Sequence, residues 1–271
     1  MTAPDHPAGI SVIRWAGASD VGLRRTHNED SWGVYVFDRR MENAAERGAT
    51  AMGEQGMLFV VSDGIGGAQA GEVASEFCVR RLAEEAFRRA ARTAEVAMQE
   101  AIVATHGVLA AEARTKHEWV GMGATLSALW LLPHGRAVLG HVGDSRIYVF
   151  RERRLCQLTE DHSVGAGMVR RGEITAEAAV RLRFRSMLEQ SMGGDGQPLE
   201  PQVVEFAVNA GDVFLLCSDG LHGLVSAGEM EAIVRPPEAD LAKAAEALVA
   251  KANEAGGPDN ITVVLARVSP A

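Results

Sequence analysis

A serine–aspartate–glycine triplet occurs twice in the chain, each time at the end of an apolar run. Residues 57–61 lead into the triplet around Asp63, and residues 213–217 lead into the triplet around Asp219. Short runs rich in Val, Leu and Phe predict buried strands. A buried strand holds a terminal carboxylate rigidly, and glycine lets the backbone approach a bound group. One Asp-Gly pair alone is typical of an ordinary turn, but the repetition favours a shared acidic site.

Other acidic residues also stand at predicted strand ends or tight turns: Glu29, Asp30, Asp144 and Asp259. Carboxylates with glycine carbonyls and water form the oxygen shell that Mg2+ and Mn2+ prefer. Carboxylates meeting in one pocket repel each other unless divalent cations neutralise them, so the set implies at least two metals. Two metals bridged by a carboxylate generate hydroxide and screen a phosphate, which predicts phosphoester hydrolysis. Arg25 is placed to clamp phosphoryl oxygens.

Composition limits the classes of function. The chain has 271 residues, of which 47% are hydrophobic and 23% charged, and its net charge is -9. A large core is therefore expected, and the acidic charge argues against nucleic-acid binding. We find no signal peptide and no transmembrane run, so we expect a cytoplasmic protein without membrane contact. Cys78, Cys156 and Cys217 are widely separated and predict small buried hydrophobes in a reducing compartment, not a disulfide set or a zinc site.

The hydrophobic pattern predicts antiparallel sheets with helix pairs outside, an α+β fold. Strands are predicted at residues 11–17, 32–37, 57–61, 123–132, 136–143, 146–150, 203–207, 212–217 and 261–268, and helices at residues 70–91, 93–114, 226–234 and 240–254. We expect residues 11–17 to form an edge strand and residues 38–56 to form a polar surface excursion. The strands between residues 123 and 150 have short links and are expected to be antiparallel neighbours.

The domain organisation follows from where the acidic residues lie. They run from Glu29 to Asp259 without a break in composition, which predicts one domain, residues 11–271, after a flexible leader, residues 1–10. Residues 164–191 are of mixed polarity and contain three glycines. We name them the flap segment and expect them to move over the site and to affect protein substrates more than small ones.

Six short motifs contain these residues in a fixed order. They are RTHNED at residues 25–30, VSDGIGG at 61–67, VGDSR at 142–146, LTEDHS at 158–163, SDG at 218–220 and GPDN at 257–260. Their order and spacing resemble those of the metal-dependent type 2C (PPM) serine/threonine protein phosphatases in their bacterial form, over residues 11–268. The resemblance implies a four-layer α-β-β-α sandwich of two antiparallel sheets flanked by helix pairs.

The resemblance also implies an activity, hydrolysis of phosphoserine and phosphothreonine in proteins by a metal-activated water, and a role for each site residue. Asp63 would bridge two Mn2+ or Mg2+ ions, one of them also bound by the Gly64 carbonyl. Asp219 and Asp259 would bind one ion, and Glu29 and Asp30 would bind the other, directly or through water. Asp144 would bind a weaker third ion together with Asp219. Arg25 would bind the substrate phosphate. The implied partners are phosphorylated proteins, a serine/threonine kinase and its substrates, and we expect a monomer.

Two positions depart from the family pattern. Animal members carry a histidine general acid where this chain has Ile65, as in bacterial relatives. The leaving-group acid is then metal-bound water or, as a weaker candidate, His27. Many bacterial members read Thr-Arg-Ala-Leu-Gly where residues 189–193 here read Glu-Gln-Ser-Met-Gly, so the role of that arginine in substrate handling does not carry over.

Three alternative functions fit the sequence less well. A nucleotide-binding loop is disfavoured, because Gln69 replaces the third glycine of the dinucleotide fingerprint and Glu72-Val73 replaces the Lys-Ser/Thr of a P-loop. A phosphatase-like binding module without turnover would usually have lost metal-site carboxylates, and here none is lost. A metal-dependent nuclease is disfavoured by the acidic charge.

Several nearby polar residues are expected to be structural. His162 is expected to fix the turn that returns the chain to the site, and Asp161 to cap the helix after it. Arg146 is expected to order neighbouring carboxylates. His141 and His222 are expected to be satisfied histidines of the core or its rim.

Overall fold

The structure is a computed structural model that describes residues 10–65, 70–194, 196–235 and 240–270. Nearly all of the predicted leader, together with Gly66, Gly67 and Gln69, lies outside the described residues. The strands are β1 Ile10–Asp20, β2 Asp30–Phe37, β3 Met41–Asn43, β4 Arg47–Ala51, β5 Gly56–Ile65, β6 Gly123–Ala124, β7 Leu126–Leu132, β8 Arg136–Val142, β9 Arg146–Arg151, β10 Arg154–Gln157, β11 Met192–Gly193, β12 Gln202–Ala207, β13 Val213–Cys217 and β14 Ile261–Pro270. The helices are α1 Ala70–Arg88, α2 Ala94–Glu112, α3 Val164–Arg170, α4 Ala176–Ala179, α5 Asp219–His222, α6 Ala227–Val234 and α7 Leu241–Glu254.

The strands form two sheets in which neighbouring strands are antiparallel. The first sheet has the order β10-β9-β13-β14-β1-β4, and the second has the order β11-β6-β5-β7-β8-β12, with β2 beside β5 and β3 beside β2. Alternate side chains of both sheets meet in a central core that includes Ile13, Phe59, Leu129, Phe214 and Val264. Burying each such side chain stabilises the fold by about 1.5–3 kcal/mol.

Helices cover the outer face of each sheet. Helices α1 and α2 pack on the second sheet through residues such as Leu82, Met98 and Ile102. Helices α6 and α7 pack on the first sheet through residues such as Met230 and Leu248. The predicted α-β-β-α sandwich is therefore confirmed. No described helix is both long enough and apolar enough to cross a bilayer.

The edge of the first sheet differs from the prediction. Strand β1 is not an edge strand, because it pairs with β14 on one side and β4 on the other. The edge is β4, which lies within residues 38–56 together with β3, so this stretch is more than a surface excursion. Five residues of alternating exposure, Arg47–Ala51, form that edge.

The strands between residues 123 and 150 are not all neighbours. Strands β7 and β8 pair as predicted, but β9 pairs with β13 and β10 in the other sheet. In the link between β8 and β9, Gly143 has a φ of 104°, and the chain passes from the second sheet to the first. Strands β12 and β13 are likewise divided between the sheets.

The cysteine prediction holds for two of three residues. All three are free thiols; Cys78 and Cys217 are buried, whereas Cys156 is exposed. It lies on β10, the edge of the first sheet, where one face of the strand is open to solvent. The prediction that Cys156 is buried was wrong.

Candidate active site

Asp30 and Asp63 lie next to each other because β2 and β5 pair with these two residues directly opposite. Glu29 precedes β2, and its carbonyl oxygen accepts a hydrogen bond of 3.1 Å from the Gly64 amide. A Cβ atom at Gly64 would lie 2.7 Å from that oxygen, so the close approach requires glycine. One end of the second sheet therefore brings two aspartates, a glutamate and the Gly64 backbone together.

The first sheet contributes Asp219 and Asp259 to the same place. Asp219 begins α5 after β13, and Asp259 lies two residues before β14. The hydroxyl of Ser218 donates a hydrogen bond of 2.7 Å to Asp30 Oδ2 and accepts one of 3.0 Å from the Thr262 amide. This bond joins the two sheets directly at the acidic site.

Asn260 is a site residue for which sequence reasoning gave no role. Its side-chain oxygen accepts a hydrogen bond of 2.8 Å from the Glu29 amide. Its side-chain nitrogen donates to the carbonyls of Val21 and His27, each at 2.9 Å. Asn260 is buried and fixes the loop before β2. The sequence signal that could have identified it is its position directly after the predicted ligand Asp259. A buried amide side chain there must find hydrogen-bond partners and can therefore hold the neighbouring chain.

Asp144 lies in the crossover between β8 and β9 and is 9% exposed. His162 holds this crossover: the Gly143 amide donates to His162 Nδ1 at 3.3 Å, and the His162 amide donates to the Gly143 carbonyl at 2.7 Å. The Asp144 carbonyl accepts a hydrogen bond of 2.9 Å from His222 Nε2. These contacts agree with the structural roles expected for His162 and His222.

Arg146 orders a carboxylate, as expected, through a bidentate pair with Asp161 at 2.9 and 2.7 Å. Asp161 does not cap α3, which corrects the prediction. The cap is Ser163, whose side chain accepts from the Ala166 amide. Asp161 lies two residues before the cap and is held by the guanidinium, because a charged bidentate pair outweighs a single capping bond.

His141 is buried, as expected, but not fully satisfied. Its Nδ1 lies 2.9 Å from Ser127 Oγ, and its Nε2 has no hydrogen-bond partner among the described residues. Burial lowers the pKa of His141 to about 3, so the ring is neutral at physiological pH.

Arg25 lies at the rim of the site with a half-exposed side chain. Its Nη2 is 2.9 Å from Asp259 Oδ2, and its Nη1 is 3.8 Å from Glu29 Oε2. The guanidinium therefore joins the acidic residues of both sheets while it remains accessible from solvent.

The carboxylates perturb one another. Burial raises the pKa of Asp63 well above its ordinary value, and the charges of Asp30, Asp219, Asp144 and Asp259 raise it further. The pKa of Asp30 is raised to about 7 by burial, although hydrogen bonds from Ser218 and Thr262 oppose the change.

Asp144 and Asp219 follow the same pattern. Burial, and then the charge of Asp219, raises the pKa of Asp144 to about 7. Burial, and then the charge of Asp259, raises the pKa of Asp219. A buried group of like charges with raised pKa values is typical of a site that binds cations or catalyses proton transfer.

The donor set fits divalent cations of the Mg2+ and Mn2+ type. Glu29 Oε1 and Asp30 Oδ1 are buried and have no hydrogen-bond partner among the described residues, a state that costs free energy unless a cation compensates it. The nearby acidic donors are all oxygens, as hard cations require. Across the described ranges, no group of three or more His, Cys, Asp or Glu side chains is already arranged to hold a metal ion.

The flap segment borders the site. Asp144, Asp219 and His222 line a cavity of about 470 Å3 together with Ser163, Val180 and Arg185. Neither Ile65 nor residues 189–193, which depart from the family pattern, line this cavity. Ile65 ends β5 and is 39% exposed, and the Gln190 side chain accepts a hydrogen bond of 2.8 Å from the Glu200 amide.

Comparisons with known proteins agree with this geometry. A family profile described as protein phosphatase 2C matches residues 46–255. The serine/threonine phosphatase stp of Listeria innocua is 35% identical over 252 residues, which cover 91% of this chain and 92% of that protein. The crystal structure of the Mycobacterium tuberculosis serine/threonine phosphatase PstP/Ppp is 35% identical with a TM-score of 0.80 and covers 95% of this chain and 99% of that one. The PstP catalytic domain in complex with two manganese ions is 34% identical with a TM-score of 0.77 over 95% and 99% of the two chains.

Proposed function

The chain belongs to the protein phosphatase 2C family of serine/threonine protein phosphatases, and on that premise we propose that it hydrolyses phosphoserine and phosphothreonine in proteins with two divalent cations, Mn2+ or Mg2+. The observation that carries the proposal is the acidic cluster around Asp63, in which the charges of four other aspartates from both sheets raise the pKa of Asp63. Its unpartnered buried oxygens on Glu29 and Asp30 support cation binding. The presence of two manganese ions in the PstP catalytic domain supports the same metal requirement.

We assign the ligands as follows. Asp63 would contribute to holding both cations, and the Gly64 carbonyl would contribute to holding one of them. The other proposed ligands are Asp219 and Asp259 at one cation, Glu29 and Asp30 at the other, directly or through water, and Asp144 with Asp219 at a weaker third cation. The position of Asp63 between Asp30 and the aspartates of the first sheet supports its bridging role.

The bound cations supply a water nucleophile at neutral pH and screen the charge of the phosphate. Arg25 binds the phosphoryl oxygens, and its half-exposed guanidinium beside Asp259 supports this role. Asn260 and Ser218 hold the Glu29 and Asp30 regions in place through the bonds described above. The side chain of Ile65 has no acidic proton, so it cannot protonate the leaving serine or threonine oxygen.

The wider biological role follows from the chemistry. We propose that residues 11–271 act as a single catalytic domain, because the proposed ligands span Glu29 to Asp259. We also propose that the enzyme is a cytoplasmic monomer that reverses the action of a serine/threonine kinase on phosphorylated proteins.

A single assay tests the function. The protein is stripped with a chelator and supplied with Mn2+, then assayed with a phosphothreonine peptide, p-nitrophenyl phosphate and single-stranded DNA. We expect Mn2+ to restore phosphopeptide hydrolysis and Asp63→Asn to abolish it, because that variant removes a charged bridging ligand. Asp38→Asn changes an exposed aspartate in the turn after β2 and serves as the matched control. Turnover that survives exhaustive chelation would contradict the metal mechanism; cleavage of DNA alone would indicate a nuclease, and metal binding without turnover a binding module.

A further inference from the structure

The flap segment contains a strongly basic strip, residues 180–187. It carries Arg181, Arg183 and Arg185 and no acidic residue, within a chain of net charge -9. All three arginines are exposed. Three large apolar side chains of the same strip are also exposed: Val180 by 65%, Phe184 by 45% and Met187 by 62%. The strip therefore presents cations and apolar surface together.

The arginines of the strip differ from the other arginines of the flap segment. Arg171 pairs with Glu173 at 2.7 Å and with Glu189 at 3.1 Å, and Arg170 lies within 4 Å of two glutamates. Within the described part of the chain, no carboxylate forms an ion pair with any arginine of the strip. Arg185 instead donates to the carbonyl of Val180 at 3.0 Å. Among the described residues, these three positive charges therefore have no carboxylate within ion-pair distance.

The backbone of the strip is anchored beside the site. The amides of Val164 and Gly165 donate to the carbonyls of Met187 and Arg185, at 2.8 and 3.0 Å. Ser163 and Leu188 form an antiparallel bridge. A Cβ atom at Gly165 would lie 2.9 Å from the Arg185 Cβ, so glycine permits the start of α3 to approach the strip closely. The strip is therefore held in place next to the segment that follows Asp161.

The strip and the acidic site share one cavity. Val180 and Arg185 line the same 470 Å3 space as Asp144 and Asp219. A peptide whose phosphate lies at the carboxylate cluster can therefore extend along this cavity and place its neighbouring residues against the strip.

We propose that the strip selects phosphoproteins in which glutamate or aspartate residues flank the phosphorylated residue. Carboxylates are the natural partners of unpaired guanidinium groups, which bind them in a bidentate geometry. The exposed apolar side chains add contact area to the same segment. The overall acidic charge of the protein would otherwise disfavour such substrates, so the strip reverses the charge preference locally. This inference rests on the proposed function.

The test compares two phosphothreonine peptides that differ only in whether glutamate or lysine flanks the phosphorylated residue. For the wild-type enzyme with Mn2+, we expect kcat/KM to be about tenfold higher for the glutamate peptide, since exposed ion pairs contribute about 0.2–1 kcal/mol each, or up to about fivefold. The preference should weaken as salt rises. The variant Arg181→Glu/Arg183→Glu should lose or invert the ratio.

The matched control is Arg39→Glu/Arg153→Glu, which changes the net charge by the same amount. Both residues are exposed, lie in turns outside the flap segment and take part in none of the ion pairs found in the described ranges. The control should keep the wild-type ratio. Equal hydrolysis of both peptides by the wild type, or the same loss of ratio in both variants, would overturn the inference alone. No Mn2+-dependent hydrolysis of either peptide would overturn the proposed function and the inference with it.

Discussion

At the scale of single residues, the acidic site depends on carboxylates that are costly to bury. Asp144 illustrates this, because it is 9% exposed and its pKa is raised to about 7. Its backbone is held by His222, and its neighbour Gly143 is held by His162. These hydrogen bonds use the backbone and leave the Asp144 carboxylate free to act in the acidic site.

We predict that Asp144→Asn folds normally and keeps its two tightly bound cations but loses most of its turnover. The carboxamide keeps the shape and removes the charge that would hold the weaker third cation. The loss should lie in kcat, by about a hundredfold, the size of a lost proton-transfer catalyst, because Ile65 cannot protonate the leaving group.

Calorimetric titration of Mn2+ alongside kinetics on a phosphopeptide decides this prediction. The control Asp38→Asn should bind metal and turn over substrate like the wild type. Loss of a tight cation in Asp144→Asn, or a full kcat, would give Asp144 a different role.

Residue types and spacing predicted acidic residues at strand ends or tight turns, and the structure places two of them, Asp30 at the start of β2 and Asp63 near the end of β5, directly opposite each other. They were not sufficient for Asn260, because the sequence does not show that its amide reaches Glu29, 231 residues away. Nor did they show that Arg146 takes Asp161 from its expected capping role. Such choices depend on contacts between distant segments, which no local pattern specifies.

At the scale of elements, most strands and helices could be predicted, but their assignment to sheets could not. The links after β7 and β8 are both short, yet the first makes a hairpin and the second crosses to the other sheet. Both links contain a glycine of positive φ, Gly135 at 70° in the first and Gly143 at 104° in the second, so the presence of such a glycine does not distinguish them. A glycine in a short link is also common in hairpins, so the sequence allows both outcomes.

We predict that Gly143→Ala destabilises the protein and also lowers activity. A Cβ atom there would lie 2.7 Å from Thr125 Cγ2 and 2.8 Å from Thr125 Cβ, in addition to the unfavourable φ. Backbone strain of this kind costs about 1–3 kcal/mol, which for a protein of this size lowers Tm by several degrees, at about 2–4 °C per kcal/mol. The crossover should shift, and Asp144 with it.

Gly211→Ala is the matched control for this crossover. Gly211 has a φ of 94°, but a Cβ atom there would have no neighbour within 4 Å, and the residue lies in the distant turn before β13. It should lose stability through φ strain alone and keep its kcat. Thermal unfolding and phosphopeptide kinetics on both variants measure the two effects. Equal kcat values in the two variants would contradict the prediction, because they would show that the crossover at Gly143 does not affect catalysis.

At the scale of the whole molecule, the acidic site makes stability depend on pH and on metal. In the metal-free protein, the pKa values of Asp30 and Asp144 are raised to about 7, whereas unfolded aspartate titrates near 4. The folded state therefore binds more protons than the unfolded state across this range, and its stability falls as pH rises. Below about pH 6.5, buried histidines act in the opposite direction, because burial lowers the pKa of His141 to about 3 and that of His222 to about 4. The carboxylates therefore determine the sign of the change in stability with pH only above the ordinary histidine pKa.

We therefore predict that the free energy of unfolding of the chelator-treated protein decreases by about 1 kcal/mol between pH 6.5 and pH 8. The two carboxyls of pKa near 7 contribute a decrease of about 0.8 kcal/mol each, and the two buried histidines offset about 0.4 kcal/mol each. Denaturant titrations at matched ionic strength measure it. Asp144→Asn removes one titrating carboxyl and should show a smaller decrease, whereas Asp38→Asn should match the wild type. Saturating Mn2+ should remove the decrease, because cations bind the deprotonated carboxylates and stabilise the folded state increasingly as protons leave. A metal-free stability that stays constant or rises across this pH range would show that the carboxylates do not share a buried, proton-retaining site.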